Sequence, residues 1–406
     1  MERFEWELSE EELRHGESIK WGKAPPDVLP LWVADMDFAL APSIRAALAE
    51  RLRRTVGYPQ VEGDPDLTGP LQKKLEGEGW SGLGRKGWVR FLPGVVPAIG
   101  AAIAGLTEPG EAVMTMTPAY PPFLEAVKDQ RRELREVPLS DAGERWEIDW
   151  EAMERAALVE GRRAKVLLLC HPHNPTGRLW TVDELARISD FAHRHELWVV
   201  SDELHADLTL RGIFTAFANV AGEAVRQKTL TLTGPCKMYN TAGLGIGAMF
   251  SHDAALVARV IKPSTWTAGH PGTMAVAMWK AALRDDGKWR AEVLEYLRAN
   301  GAFVERFVSE RLPGVRMKPV EATYLAWLDY RAVMGEEAPR AGKMLLEQGR
   351  VMLSEGAMFG AGFEGFVRLN FATSRAILTE ALERMARLHG LLRSARPPSA
   401  QQSLND

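Results

Sequence analysis

Residues 229–240, TLTLTGPCKMYN, decide how this chain is read. The alternation of Thr229, Leu230, Thr231, Leu232 and Thr233 predicts a strand whose side chains repeat every two residues. Gly234-Pro235 ends it, because proline has no N–H to give to a ladder. A single lysine, Lys237, follows almost at once. A lysine held at the end of a buried strand beside small residues loses water. That loss favours the neutral amine and makes Lys237 a candidate Schiff-base nucleophile. On this stretch alone a solvated loop lysine is the commoner reading, so the weight falls on what the other strand ends carry.

At 406 residues the chain exceeds one simple core and suggests two domains. Its 46% hydrophobic and 26% charged residues are those of an ordinary globular protein. A formal net charge of −4 provides no basic field for nucleic acid or anionic lipid. The two cysteines, Cys170 and Cys236, show no CxxC and no metal-ligand spacing, which points to a reducing compartment and to no metal. No run of eighteen apolar residues occurs, and the opening MERFEWELSEEELRHG is too acidic and polar for a secretory signal. The expectation is a cytoplasmic protein with neither membrane nor nucleic-acid partners.

Along the chain, LWVADMDF (31–38) carries Asp35 and Asp37, which read as caps of the next helix or as residues shaping the entrance of a site. APSIRAALAERLRR (41–54) predicts that helix, with Ile44, Ala47, Leu48 and Leu52 at helical spacing and Pro42 in the first turn. TVGYPQ then sets Tyr58 between Gly57 and Pro59. VRFLPGVVPAIGAAIAGLTEPGE (89–111) reads as strand, glycine turn and a helix of small residues. The N–H groups around Gly94, Val95 and Val96 at that helix start suit a phosphate. AVMTM (112–116) leads to Tyr120 among prolines. KVLLLC (165–170) and LWVV (197–200) are further strands, separated by a helical segment at 181–196, and IGAMF (246–250) is one more, expected antiparallel. Strands alternating with helices predict an α/β fold with a mainly parallel sheet, whose ligands gather beyond the carboxyl ends of the strands.

Past residue 287 the pattern changes. A long helix at 290–312, strands within 315–330, a helix at 338–350, a strand at 365–374 and a closing helix at 377–392 predict a smaller α+β domain. The expected division is 46–286 for the large domain, 1–45 with 287–392 for the small one, and 393–406 as a disordered polar tail.

Each chemically suggestive group follows its own strand: Asn174 in HPHNPTGR, Asp202 and His205 in SDELHADL, and Lys237. An aspartate can pair with a protonated ring nitrogen, an asparagine can bond a ring oxygen, and a lysine can form an imine. Together these are what pyridoxal 5'-phosphate needs to act as an electron sink. Arg368 interrupts an otherwise apolar strand, and burying an unpaired guanidinium is costly, so a ligand is the better explanation for it.

HNPTG, SDELH and the lysine after a small-residue turn resemble the fold-type I pyridoxal-phosphate enzymes, the aspartate aminotransferase superfamily. LPLWVADMDF, VGYP, LPGVVPAI, SDELHADL, CKMYNTAGL, ATYLAWLD and VRLNFA are similar to the MalY/PatB family of cystathionine β-lyases, or C–S lyases, and span about residues 20 to 390. The resemblance implies a mainly parallel seven-stranded sheet flanked by helices, plus the smaller α+β domain. It implies that Lys237 binds the cofactor and shuttles protons, that Asp202 keeps the ring nitrogen protonated and that Asn174 bonds the phenolic oxygen. Tyr120 would stack on the ring, and the amides of Val95 and Val96, with Thr233, would hold the phosphate. His205 stands where aminotransferases carry a tyrosine. Tyr58 would reach the phosphate of a neighbouring subunit, which implies a homodimer with its active site at the interface. Arg368, helped by Asn174 and Tyr58, would grip the α-carboxylate of a small amino-acid substrate.

Two departures stand out. Gly234, Pro235 and Cys236 replace the serines that many relatives have before the lysine, and Gly245 stands where aminotransferases usually place a phosphate-binding arginine. The implied reaction is α,β-elimination from cystathionine or a related L-cysteine S-conjugate. The alternatives are an aminotransferase using the same cofactor, or a regulator that keeps the enzyme fold.

Overall fold

The computed structural model describes residues 4–394. Short apolar runs bounded by glycine, proline or charged residues become the strands of its large sheet. In chain order these are β1 (Val89–Leu92), β2 (Ala112–Thr117), β3 (Glu133–Pro138), β4 (Arg162–Cys170), β5 (Trp198–Asp202), β6 (Thr229–Thr233) and β7 (Gly247–Phe250). Their spatial order is β1-β7-β6-β5-β4-β2-β3, and a two-residue piece, Leu158–Val159, adds an eighth strand beside β4. The ladders from β6 through β5, β4 and β2 to β3 are parallel, whereas β7 runs antiparallel to both β6 and β1.

Parallel strands need both faces covered, and the alternation of side chains shows how that is met. Leu168, Val200, Leu230 and Leu232 pack with the helix Val95–Leu106. Leu167, Leu169 and Val199 face the other way, onto the helix Val182–Arg194. The seven-stranded, mainly parallel sheet expected from the sequence is thus the one that forms. β3 escaped the sequence reading. It pairs on one side only, as an edge strand, and its charged text ELREVP has no apolar run to mark it.

A second sheet is antiparallel and comprises β8 (Arg316–Met317), β9 (Leu325–Asp329), β10 (Ser354–Glu355) and β11 (Phe366–Asn370), in the order β8-β9-β11-β10. The long helix Lys288–Arg311 and the closing helix Arg375–Ser394 belong to the same region. Of the expected tail, 393–394 fall within that closing helix and 395–406 lie outside the described residues.

Between the two sheets runs the arm 20–38. Asp37 does not cap a helix. The helix Pro42–Leu52 starts after Ala41 with proline in its first turn and no side-chain cap. Asp37 instead accepts from Lys20 Nζ at 2.8 Å and from Trp21 Nε1 at 2.8 Å, and both charged residues are 1% exposed. Its backbone N–H also donates to the Ala372 carbonyl, which ties the arm to the chain leaving β11. The pair is kept because each charge neutralises the other out of water. Removing one partner strands the other, so Asp37→Ala is expected to cost about 3–5 kcal/mol of stability, with part of the loss recovered by adding Lys20→Met. Urea-unfolding midpoints of the two variants check this.

Candidate active site

The carboxyl ends of β4, β5 and β6 converge with the start of the helix Val95–Leu106. Asn174 sits four residues past β4, Asp202 is the last residue of β5, His205 follows three residues later, and Lys237 lies four residues past β6. All four line one cavity of about 280 Å³, together with Val95, Val96, Tyr120, Arg368, both cysteines, and Val33 and Ala34 of the arm. Cavities of about 610 and 1040 Å³ elsewhere are larger but lack this convergence of chemically distinct groups.

The electrostatics of the cavity suit a charged ligand. Asp202 is buried, and its carboxylate accepts from a backbone group, the Leu204 N–H, at 3.1 Å. Burial raises its pKa to about 6, against the pull of that N–H and of Lys237. A protonated ring nitrogen would relieve this cost. His205 is pushed down to about 3 by burial, and then by the nearby Lys237 and Arg368, so it is a neutral imidazole at pH 7. Its Nδ1 has no partner among the described residues. Tyr120 precedes the helix Pro121–Asp129, and burial raises its phenol to about 12, which keeps it uncharged.

Arg368 is buried in β11 with no carboxylate partner among the described residues. Nη1 donates to Asn174 Oδ1 at 3.0 Å, Nη2 donates to the Trp32 carbonyl at 3.0 Å and to Ser354 Oγ at 3.3 Å, and the guanidinium lies 4.9 Å over the Phe359 ring. Burial lowers its pKa to about 10, which still leaves it a full cation at neutral pH. With Asn174 Oδ1 taken, the Asn174 amide nitrogen is what remains for a ring oxygen. Lys237 Nζ donates to the Ala34 carbonyl at 2.7 Å.

The phosphate end explains the missing arginine. Gly94, with φ of 149°, turns the chain into the helix Val95–Leu106, whose first N–H groups have no acceptor within the helix. A Cβ on Gly245 would lie 2.4 Å from the Pro93 carbonyl oxygen, and one on Gly247 would lie 3.0 Å from the Gly94 carbonyl carbon. No side chain fits at 245, because the 93–95 turn lies directly against this backbone. An anion at this end of the cavity would meet backbone N–H groups and the positive end of a helix.

Two expected residues do not join the cavity. Thr233 faces a separate cavity of about 140 Å³ with Lys74, Asp207 and Arg290. The cause is strand alternation, since Leu230 and Leu232 face the helix Val95–Leu106 and Thr233 takes the opposite side. Tyr58 is 94% exposed, and its ring contacts His270 at 5.8 Å.

The sequence reading also missed the residues that fix the arm. Asn240 bonds the Met36 N–H and the Met36 and Phe38 carbonyls, and Asn370 Nδ2 bonds the carbonyls of Val33 and Asp35. Tyr324 donates to the Ala34 carbonyl. For Asn370 a signal existed: like Arg368, it is a polar residue inside the apolar strand FVRLN.

The donor set fits pyridoxal 5'-phosphate: a buried carboxylate without a cationic hydrogen-bond partner, a helix start cradled by glycines, an aromatic ring and an amine face one cavity. A pH effect follows for the cofactor-free chain. The pKa of Asp202 is raised from 3.8 in the unfolded reference to about 6, so the fold favours its protonated form. The stability associated with that proton is present below the unfolded value and is lost as the pH rises through about 6, a loss of roughly 2–3 kcal/mol. Without cofactor, Asp202→Asn is expected to unfold at higher urea than the parent at about pH 7.5, with the gap closing at about pH 4.

The sequence matches the family model described as aminotransferase class I and II over residues 26–385. It is 35% identical to cystathionine β-lyase PatB of Bacillus subtilis, over 91% of this chain and 96% of that protein. It is 36% identical to a cystathionine β-lyase of Corynebacterium glutamicum, over 93% and 98% of the two chains. The crystal structure of cystalysin from Treponema denticola, which contains a pyridoxal 5'-phosphate cofactor, superposes with a TM-score of 0.87 at 30% identity, covering 96% of this chain and 100% of that one. With the geometry of the cavity, these likenesses place the chain in the aminotransferase class I and II family of pyridoxal-phosphate enzymes, in the branch that holds the MalY/PatB cystathionine β-lyases.

Proposed function

We propose that this protein is a carbon–sulfur β-lyase that cleaves cystathionine or a related L-cysteine S-conjugate by α,β-elimination to a thiol and aminoacrylate, which water hydrolyses after release to pyruvate and ammonia. The observation that carries this reading is Arg368, a buried guanidinium without a carboxylate, facing the same cavity as Lys237. A cation held out of water at that cost selects a small anionic ligand, and an amino acid's α-carboxylate has the matching two-oxygen shape.

Bound there, pyridoxal 5'-phosphate supplies an electron sink conjugated to the substrate's α-carbon. The chain's own residues do the rest. Arg368 seats the carboxylate and thereby fixes which substituents of the α-carbon meet Lys237. The Lys237 amine takes the α-proton, and the proton it gains is then at hand for the sulfur leaving the β-carbon. Asp202 holds the ring nitrogen protonated, and Asn174 donates to the ring oxygen. His205 stays neutral and so adds no competing charge, while Tyr120 covers the ring and excludes water. The relatives at 35 and 36% identity are cystathionine β-lyases, which supports the lyase over the aminotransferase, and the closed space at Gly245, where an arginine cannot stand, points the same way.

The same reading includes a homodimer with the site at the subunit interface. It is supported by Tyr58 and by Trp266, which is 96% exposed, with Leu52 and Val56 also uncovered. Tyr58 is then a candidate for contact with the partner subunit's cofactor and substrate. Residues 46–286 serve as the cofactor-binding domain, and 1–45 with 287–392 as the domain that brings in the arm and Arg368. The unpaired thiols of Cys170 and Cys236 support a cytoplasmic setting, and no described helix is long and apolar enough to cross a membrane.

With cystathionine and no added 2-oxo acid, the purified protein is expected to form pyruvate. Lys237→Ala should lower the rate by about 10²–10⁴-fold. Amino transfer on adding a 2-oxo acid, with no pyruvate beforehand, would replace the lyase by the aminotransferase. Arg368→Lys loses the two-pronged grip and is expected to raise KM for cystathionine by about 10–100-fold, read from initial rates.

A further inference from the structure

Lys237 does not hold its place alone. The Ala34 carbonyl that accepts from Lys237 Nζ at 2.7 Å also accepts from the Tyr324 hydroxyl at 2.8 Å. A carbonyl oxygen has two lone pairs, and here one is committed to the phenol and the other to the amine. The peptide cannot swing away, because the carbonyls on either side, those of Val33 and Asp35, are both held by Asn370 Nδ2 at 2.7 and 2.6 Å. Tyr324 is itself 1% exposed, and its carbonyl accepts from the Phe371 N–H at 2.9 Å.

A second and independent sign lies one residue earlier. Thr323 has a φ of +72°, a left-handed conformation that a β-branched residue adopts only when its surroundings force it. Its N–H donates to the Leu208 carbonyl, and its hydroxyl accepts from the Leu325 N–H, so the unusual turn that aims Tyr324 is held in place.

We propose that Tyr324 is a positioning residue for Lys237: its hydroxyl fixes the Ala34 carbonyl as the seat to which the lysine amine returns whenever it is not bonded to the cofactor. The inference rests on Lys237 being the cofactor lysine, as argued above. Seated this way, Lys237 Nζ spends one N–H on Ala34, which leaves the rest of the nitrogen turned toward the cavity. Attack on the cofactor's aldehyde and removal of a substrate proton both need the amine's lone pair at a fixed angle. Burial raises the phenol's pKa well above its ordinary value of 10.0, so Tyr324 remains a donor throughout the working range of pH.

The test uses the full chain, stripped of pyridoxal 5'-phosphate and then reloaded, and compares it with Tyr324→Phe. The control is Tyr330→Phe, which removes another buried hydroxyl, one with no partner among the described residues. Three quantities are read: the rate at which added pyridoxal 5'-phosphate develops its protein-bound absorbance, kcat and KM for pyruvate formation, and the melting temperature without cofactor. For Tyr324→Phe the expected result is slower loading and a lower kcat, each by about tenfold, with KM and melting temperature close to the parent. The control should leave all three unchanged. Loading and kcat within about twofold of the parent would overturn the proposal, and so would a tenfold loss accompanied by an equal rise in KM and a lowered melting temperature. If Tyr324→Phe does not accumulate, Asn370→Ser frees the carbonyls beside Ala34 and carries the same expectation. Should the parent load cofactor yet release no pyruvate from any S-conjugate, the lyase reading fails, while the loading rates still decide the role of Tyr324.

Discussion

The site depends on the hydrogen bonds that pin the arm 32–38 between the two sheets. From Trp32 to Met36, and again at Phe38, the backbone carbonyls each accept from a side chain. Arg368 and Ser354 take Trp32, Asn370 takes Val33 and Asp35, Lys237 and Tyr324 take Ala34, and Asn240 takes Met36 and Phe38. A segment with no ladder of its own would otherwise leave these groups unpaired and buried. Because the donors come from the chain after β6 and from the small sheet, the arm locks the two regions into one cavity wall. The buried Lys20–Asp37 pair anchors the same segment from behind.

Around that wall the charges are arranged as opposites kept apart. Asp202 and Arg368 line the same cavity without bonding each other, and burial moves each toward its neutral form, the acid up and the base down. Neither has an ionic hydrogen-bond partner among the described residues, an arrangement costly to a fold that bound nothing. A ligand with a cationic ring nitrogen at one end and an anionic carboxylate at the other repays both costs. His205, a neutral imidazole lining the same cavity, adds no charge to this arrangement.

Glycines set how closely the backbone approaches at the helix-start end of the cavity. Close approach of the 93–95 turn to the β6–β7 connection is possible only because positions 245 and 247 lack a Cβ. That contact aims the start of the helix Val95–Leu106 at the cavity and removes the space an arginine would need. One geometric choice therefore accounts both for the absent residue and for what replaces it.

Much of this was legible in the sequence. The text of 229–240, with HPHNPTGR and SDELHADL, was enough for the α/β class and for Asn174, Asp202, His205 and Lys237. Such residues follow strands, and strand periodicity is local. Arg368 could be read as functional because a guanidinium in an apolar strand has no cheap structural use. What the sequence could not show depends on which distant segments meet. The charged edge strand β3 has no local signature. Thr233 looked like a neighbour of the phosphate until alternation against one particular helix turned it away. Asp37 looked like a cap until the fold buried it against Lys20. Tyr324, Asn240 and Asn370 lie within recognisable motifs, but their purpose is to bind backbone carbonyls at residues 33–38, and those partners lie some 200 to 340 positions away in sequence. Local chemistry singled out the groups that the fold gathers in one cavity; tertiary packing alone decided what holds them still, because a hydrogen bond between remote segments leaves no periodic trace in the chain.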